Sequence, residues 1–205
     1  QQSMPQHRSS LRDGLLSLPV IFLSLAYFGG LIGSFGIIFW VPQIVRSFGA
    51  STLQTGFISA IPFIVALVAI ITLGRYVDRT GRRFSVSIVG LLAGALVLWL
   101  AGGTTNPVLA IAALSLGAAG IMGSTGGFWT LPQLYLKGSA IAGAFAMINS
   151  VGALGGFVGP YIIGWAKEHS GGFGLGLTLL SLGPLAAAVL VALLGSVRRP
   201  QLAAA

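Results

Sequence analysis

The sequence has no cysteine and very few acidic residues. Its 205 residues include three Asp and Glu against eleven Lys and Arg, and charged residues make up only 7% of the chain. Without cysteine there is no disulfide framework, no thiolate metal ligand and no cysteine nucleophile. A soluble domain carries about a quarter of its residues as charged side chains. The scarcity of charge therefore argues against water as the main solvent of this protein.

Apolar residues dominate the chain instead. They make up 55% of it, the mean hydropathy is +0.95, and there are 31 glycines. A helix needs about 20 apolar residues to cross the hydrocarbon of a bilayer, where every backbone group must be bonded within the segment. The pattern predicts an all-α integral membrane fold with six transmembrane helices, at about 14–41, 53–74, 84–101, 108–131, 140–165 and 173–195.

The net charge of +8 raises the possibility of a nucleic-acid partner. However, the basic residues lie in short gaps between apolar runs, which is typical of cytoplasmic membrane loops. We therefore expect a lipid bilayer and no nucleic acid around this chain. A cytoplasmic N-terminus leaves only Arg46 and Lys167 outside. It places nine of the eleven basic residues inside, namely Arg8, Arg12, Arg75, Arg79, Arg82, Arg83, Lys137, Arg198 and Arg199.

Glycines recur at four-residue spacing, which places hydrogen atoms on one helix face and lets neighbouring backbones approach. The fifth stretch is the richest, with four glycines between Gly152 and Gly159 followed by Pro160. We expect this helix to be buried in the bundle. The spaced pairs are Gly29 and Gly33, Gly90 and Gly94, Gly123 and Gly127, Gly152 and Gly156, and Gly155 and Gly159.

The segment between the second and third stretches carries the strongest motif, Gly74-Arg75-Tyr76-Val77-Asp78-Arg79-Thr80-Gly81-Arg82-Arg83. Gly74 would let two helices close, and Gly81 would supply a tight turn. Asp78 can pair with Arg82 or with a helix N-terminus. A generic basic loop would supply the arginines, but seldom the single Asp and both glycines in register.

This segment resembles the Gly-x-x-x-Asp-Arg-x-Gly-Arg-Arg loop signature of the major facilitator superfamily. Further stretches are similar to the anion:cation symporter family within it. The resemblance implies transport of an organic anion such as tartrate, phthalate or a sugar acid, usually coupled to a cation, by alternating access. The stretches are Tyr27-Phe28-Gly29, Phe39-Trp40-Val41-Pro42-Gln43, Gln54-Thr55-Gly56, Ala60-Ile61-Pro62, Asn149-Ser150-Val151-Gly152, Gly155-Gly156-Phe157-Val158-Gly159-Pro160-Tyr161 and Gly164-Trp165.

The resemblance also implies a domain organisation. Residues 14–197 would be the C-terminal half of a twelve-helix bundle, built as two inverted three-helix repeats. Residues 1–13 would end a cytoplasmic central linker, and residues 198–205 would be a cytoplasmic tail. The expected partners are a small organic anion, a coupling cation and the N-terminal six-helix half, in the inner membrane. The expected gating residues of the loop are Gly74, Asp78, Arg79, Gly81, Arg82 and Arg83.

No charged residue lies within any of the six stretches, so a coupling carboxylate or substrate-binding Arg is expected in the other half. The candidate substrate-binding residues are Tyr27, Trp129 and Asn149, on the helices that correspond to pore-lining helices of the family. An amide at this depth needs a partner, because burying it unpaired costs on the order of 1–3 kcal/mol. For Asn149 this could be substrate, water or a neighbouring backbone. Trp129 could instead be an interfacial anchor.

The sequence also has to be compared with two other classes of membrane protein. A six-helix structural or regulatory membrane protein could dimerise without transport. An intramembrane enzyme would need an acid, base or metal site within the spans, and His7 and His169 fall outside them. We therefore expect no enzyme, with no catalytic residue, no metal site and no cofactor.

Expressed alone, residues 1–205 are expected to insert as six helices with both termini in the cytoplasm, and to show no transport. The length of the apolar stretches and the loop charges both require this topology. Reporter fusions after each stretch would measure it. A fusion placing the Arg75–Arg83 segment outside would contradict the topology, and uptake by this segment alone would contradict the assignment as one half.

Overall fold

The computed structural model describes residues 17–136 and 140–203, and of residues 198–203 only the backbone. Every regular element in these ranges is helical, so the predicted all-α class is confirmed. The α-helices are α1 Leu18–Ser47, α2 Thr52–Thr80, α3 Arg83–Gly102, α4 Pro107–Gly123, α5 Thr125–Phe128, α6 Ala140–Ala153, α7 Gly155–Ser170 and α8 Gly174–Ala203, with a 3-10 turn at Pro132–Leu134.

Six helical segments are long and apolar enough to cross a membrane. Helices α1, α2 and α3 form the first three spans, and α8 forms the sixth through Val197. The fourth span, Pro107–Leu134, contains α4, α5 and the 3-10 turn, whereas the fifth, Ala140–Ser170, contains α6 and α7. The candidate site lies at the internal breaks of these two spans.

Helix ends extend beyond the apolar stretches read from the sequence. Helix α2 begins after Ser51, whose hydroxyl accepts from the Gln54 amide (3.3 Å) while the Gln54 side chain accepts from the Ser51 amide (2.9 Å). It continues past residue 74 to Thr80 and ends at Gly81, where φ is +66°. Hydropathy predicts where the membrane-embedded part of a helix ends, but the helix itself continues until a capping residue ends its hydrogen bonding.

The packing of the spans repeats itself. The second span packs against the fourth, and in the same way the fifth packs against the first. The third span packs against the fourth, and in the same way the sixth packs against the first. The third and sixth spans pack against each other, and so do the first and fourth. Exchanging spans one to three for spans four to six leaves this pattern unchanged. It therefore has the form expected of two three-helix repeats.

Glycine allows the closest contacts between these helices. A Cβ at Gly90 on α3 would lie 2.7 Å from the carbonyl oxygen of Gly120 on α4, and one at Gly183 on α8 would lie 2.7 Å from the carbonyl oxygen of Gly29 on α1. Real Cβ atoms do not approach oxygen so closely, so only glycine permits these helix axes to stay where they are.

The expectation that the fifth span is buried was wrong. Its glycines do pack against α1, yet only 22% of its apolar window is buried, compared with 44–50% in the first, third, fourth and sixth spans. Close packing covers one helix face, while Phe157, Tyr161 and Trp165 project from the other and are exposed. The second span, its counterpart in the repeat, is covered still less, at 17%. Both spans therefore present a face without a partner in the described chain.

Substitution of Gly90 by Ala is expected to destabilise the bundle by about 1–3 kcal/mol, because the new methyl group would separate α3 from α4. Gly56 on α2 is the matched control, since a Cβ there meets nothing within 4 Å. Thermal unfolding of the detergent-solubilised chain measures the stability of both variants. Equal unfolding midpoints for Gly90→Ala and Gly56→Ala would contradict the close contact.

Candidate functional site

The break in the fourth span places two large aromatic side chains. Helix α4 ends at Gly123, and the chain then runs through Ser124 and Thr125 into two glycines. The hydroxyl groups of Ser124 and Thr125 each donate at 2.6 Å to carbonyl oxygens three residues earlier. Such bonds compete with the helical pattern, and glycine adds a low helix propensity. After this break the chain forms the short helix α5, which ends at Phe128 and is followed directly by Trp129.

The break in the fifth span separates α6 from α7 at Leu154. The Leu154 amide donates to the carbonyl oxygen of Val151 at 3.3 Å, three residues back, instead of making the regular four-residue bond. Glycines flank this point, and Pro160, six residues later, lacks an amide hydrogen. These are the usual causes of a helix break. The break leaves Asn149 near the end of α6.

Aromatic contacts join the two broken spans to α1. The ring of Tyr27 stacks on Phe128 at a centroid distance of 5.5 Å and meets Trp129 edge-on at 4.7 Å. Trp129 in turn stacks on Phe145 of α6 at 5.4 Å. We call Tyr27, Phe128, Trp129 and Phe145 the aromatic cluster. It is held against α6 because Gly152 leaves room for the Tyr27 ring, which any Cβ at that position would strike.

The structure therefore brings all three candidate residues to one region. Tyr27 and Trp129 touch directly. Asn149 lies on α6 one turn after Phe145 and three residues before Gly152, and its side chain is exposed. On a helix, residues three and four positions apart share a face. Asn149 thus lies beside the aromatic cluster and on the accessible surface of the described chain.

The polar atoms of these three residues have no hydrogen-bond partner among the residues that the structure describes. This applies to the Tyr27 hydroxyl, the Trp129 indole N–H and the Asn149 amide. Together they offer a hydroxyl that donates and accepts, an N–H that donates, and an amide that does both. By contrast, the serines and threonines of the break bond to local carbonyls. The arrangement could orient a polar ligand through neutral groups only.

Sequence reasoning missed Phe128 and Phe145. Phe145 precedes Asn149 by four residues on an apolar stretch, a spacing that indicates a shared helix face. The contact with Phe128 had no comparable signal, because it joins α5 to Tyr27 on α1, a residue distant in the sequence.

At one end of the bundle the Arg75–Arg83 segment is mostly helix, with a turn of two residues. Gly81 adopts the left-handed conformation expected from its role in a tight turn, and its amide donates to the Val77 carbonyl at 2.8 Å. Gly74 also lies at a close approach, since a Cβ on Gly126 of α5 would be 3.1 Å from the Gly74 Cα. That approach joins α2 to the fourth span.

Of the two partners considered for Asp78, Arg82 or a helix N-terminus, Arg82 does not pair with it in this structure. Asp78 is exposed and forms no ion pair with any described residue. The Arg82 guanidinium instead donates to the Tyr76 hydroxyl at 3.5 Å. The left-handed turn at Gly81 separates Asp78 on α2 from Arg82 at the start of α3, and the Arg82 side chain runs back to Tyr76. Asp78 and Arg79 both remain exposed on the last turn of α2.

Comparison with protein families agrees with the resemblance carried by this segment. The sequence profile of the Major Facilitator Superfamily matches residues 3–160 of the chain. The match covers more than half of the 205 residues and includes both the Gly74–Arg83 motif and the aromatic cluster. The chain belongs to the major facilitator superfamily. The six-helix bundle is accordingly that of half a major facilitator protein.

Individual major facilitator proteins are similar over most of the chain. A protein of Agrobacterium vitis named "Putative tartrate transporter" is 41% identical over 94% of this chain. A quinolone resistance transporter of Acinetobacter baumannii is 38% identical over 80% of it. The inner membrane transport protein RhmT of Escherichia coli strain K12 is 34% identical over 75% of it.

These relatives are all named as transporters or transport proteins. The alignments cover 44%, 38% and 36% of the three relatives. The chain therefore spans less than half the length of the relatives it matches.

Proposed function

We propose that this chain is the C-terminal half of a secondary transporter for a small organic anion such as tartrate, phthalate or a sugar acid. The observation that carries the proposal is the group of side chains Tyr27, Trp129 and Asn149, which lie in one region of the bundle and whose polar atoms have no hydrogen-bond partner in the described chain. The relative from Agrobacterium vitis, which is named for tartrate, supports an organic acid as the substrate.

An anion bound at this surface would be held by neutral groups on this side. A carboxylate accepts hydrogen bonds from an amide, an indole N–H or a hydroxyl. The flat faces of the aromatic cluster would exclude water and limit the shape of the ligand. In the described spans, charged residues lie at the helix ends. The charge that neutralises the anion, and the carboxylate that binds a coupling proton or sodium ion, would belong to the N-terminal half.

The uncovered faces of the second and fifth spans support a partner half. Two spans related by the internal repeat have exposed faces rich in large apolar side chains, including Phe57, Ile64, Leu67, Phe157 and Tyr161. Some of these would face lipid, and the others would pack against six further helices. The site surface on α1 and α6 would then be enclosed between two bundles, at the position where such transporters bind substrate.

Transport would proceed by alternating access. This bundle is tightly packed through backbone contacts, so it would move as a unit against the other half. The substrate and the coupling cation would supply the difference in binding free energy between inward-open and outward-open states. The Arg75–Arg83 segment would face the cytoplasm, as would both ends of the chain, in an inner membrane.

Substitution of Asn149 by Leu in the full-length transporter is expected to raise the KM for tartrate about tenfold, as loss of one hydrogen bond of ~1.4 kcal/mol predicts. Asn149→Asp should raise it further, because the new carboxylate would repel an anion. Uptake of radiolabelled tartrate by proteoliposomes, with and without a proton or sodium gradient, measures both. Unchanged kinetics in both variants would make Asn149 a packing residue, and uptake of no organic acid would contradict the proposed function.

Substitution of Asp78 by Asn is expected to favour the inward-open state, because the exposed carboxylate would otherwise bind the positive end of a helix in the other half. Such contacts contribute typically 0.3–1 kcal/mol and up to ~2 kcal/mol when partly buried. At 1–2 kcal/mol the ratio of the two states changes by roughly 5- to 30-fold.

The Asp78 variant is measured by labelling a cysteine placed at Ala146, an exposed position on α6, since this chain has no other cysteine. Faster labelling with slower uptake is expected for Asp78→Asn, whereas Asp78→Glu should behave as the wild type. If labelling and uptake rates are the same in all three proteins, Asp78 only balances the neighbouring arginines.

A further inference from the structure

At the end of the bundle opposite the Arg75–Arg83 segment, two basic residues line one cavity. Arg46 lies near the end of α1, and Lys167 lies in the last turn of α7. Both line a cavity of about 1020 Å³, bounded by the ends of α1, α3 and α7 and the start of α8. These are the same two residues that the charge pattern assigns to the outer side. The cavity lies apart from the aromatic cluster, none of whose members lines it.

Two helix ends approach each other closely at this cavity. A Cβ at Gly102, at the end of α3, would lie 2.5 Å from the Thr178 hydroxyl oxygen and 2.7 Å from the Gly174 carbonyl oxygen, both on α8. Part of the cavity wall is lined by small residues, among them Gly103, Thr104 and Thr105. These small side chains leave room in the cavity for a ligand.

The Lys167 ammonium is held in place by aromatic rings. Its Nζ lies 4.7 Å from the ring centroid of Phe173 and 5.4 Å from that of Trp40. Trp40 is itself fixed, because its indole N–H donates to the Pro160 carbonyl at 2.9 Å. Contacts of this kind orient a cation without neutralising its charge. The positive charge thus remains available at the cavity wall.

No carboxylate neutralises the two cations within the described chain. Neither Arg46 nor Lys167 forms an ion pair there, and no acidic residue lines the cavity. Glu168 follows Lys167 in sequence, but it is exposed and does not line the cavity. The His169 ring also lies outside the cavity, where it stacks on Trp165 and bonds through Nδ1 to the Trp165 carbonyl at 2.8 Å.

We propose that this cavity is an outer capture site for a small organic anion, where Arg46 and Lys167 bind a carboxylate before it reaches the central surface. The proposal rests on the proposed transport function. Ligand cavities typically measure about 300–1000 Å³, so the space suits a small dicarboxylate with some of its water. Two cations in one cavity raise the local concentration of anions and hence their rate of association. Anionic lipid headgroups share this chemistry, and the first experiment separates the two sources.

The first experiment measures protection of Lys167 from an amine-reactive ester, with the full-length transporter in phosphatidylcholine nanodiscs. Mass spectrometry of the labelled peptides compares it with Lys137, the only other lysine in this sequence. Tartrate is expected to slow labelling of Lys167 several-fold without affecting Lys137, and uncharged erythritol should have no effect. Protection should be lost in Arg46→Gln and retained in Arg46→Lys.

Three outcomes of this experiment would overturn the proposal. One is equal labelling of Lys167 with and without tartrate. Another is equal protection by erythritol, which would show that charge is irrelevant. The third is found by repeating the labelling in nanodiscs that contain phosphatidylglycerol: protection by this lipid with none from tartrate would make the cavity a lipid site. None of these readouts depends on transport.

The second experiment measures uptake kinetics for the double variant Arg46→Gln/Lys167→Gln. The KM for tartrate is expected to rise about tenfold at low salt with kcat unchanged, and the difference should shrink near 0.15 M salt, where charges are screened beyond about 8 Å. Glu168→Gln changes charge on the same helix turn outside the cavity and is the matched control. It should not raise the KM.

The two experiments separate failure of the capture site from failure of the proposed function. If tartrate is transported but the double variant matches the wild type at every salt concentration, the capture site is wrong and transport stands. If tartrate is not transported yet protects Lys167, the anion site stands and the assigned substrate falls.

Discussion

Backbone contact around α1 is the constraint on which the rest of the structure depends. On one side of α1, Gly155 and Gly159 place α7 against the helix backbone, and on another side Gly29 meets Gly183 of α8. Because these contacts involve glycine on at least one helix, axes lie closer than side chains would allow. They need no hydrophobic driving force, which is absent between helices in lipid. The close packing makes one rigid bundle and fixes which faces remain uncovered.

The candidate site depends on departures from that regular packing. Two spans are broken, at Ser124 and at Leu154, and both breaks occur where glycine, serine or threonine weakens the helix. The break in the fourth span brings Trp129 against Tyr27, and the room left by Gly152 lets the same tyrosine reach α6. A membrane tolerates irregular backbone only where it is buried or faces a cavity. The breaks therefore coincide with the surface that we propose as functional.

Charge is distributed unequally along this half. The end with the Arg75–Arg83 segment carries most of the described basic residues, whereas the opposite end has Arg46 and Lys167 at a single cavity. The membrane explains the first group, since basic loops set topology. It does not explain why the two remaining cations should share one cavity free of lining carboxylates. Attraction of anions by the two positive charges would account for the placement of both cations at one cavity.

The sequence by itself determined the six spans, the superfamily and the left-handed turn at Gly81, because hydropathy and local backbone preferences depend on residues close along the chain. It also identified Tyr27, Trp129 and Asn149 as candidates. Only the tertiary structure decided that Tyr27 stacks on Phe128, that the Asp78–Arg82 pair is absent and that the fifth span is mostly uncovered. These features depend on residues distant in sequence and on which helix faces meet. Glycine content alone does not show which helix faces meet, because a glycine-rich face permits close packing against any neighbouring helix.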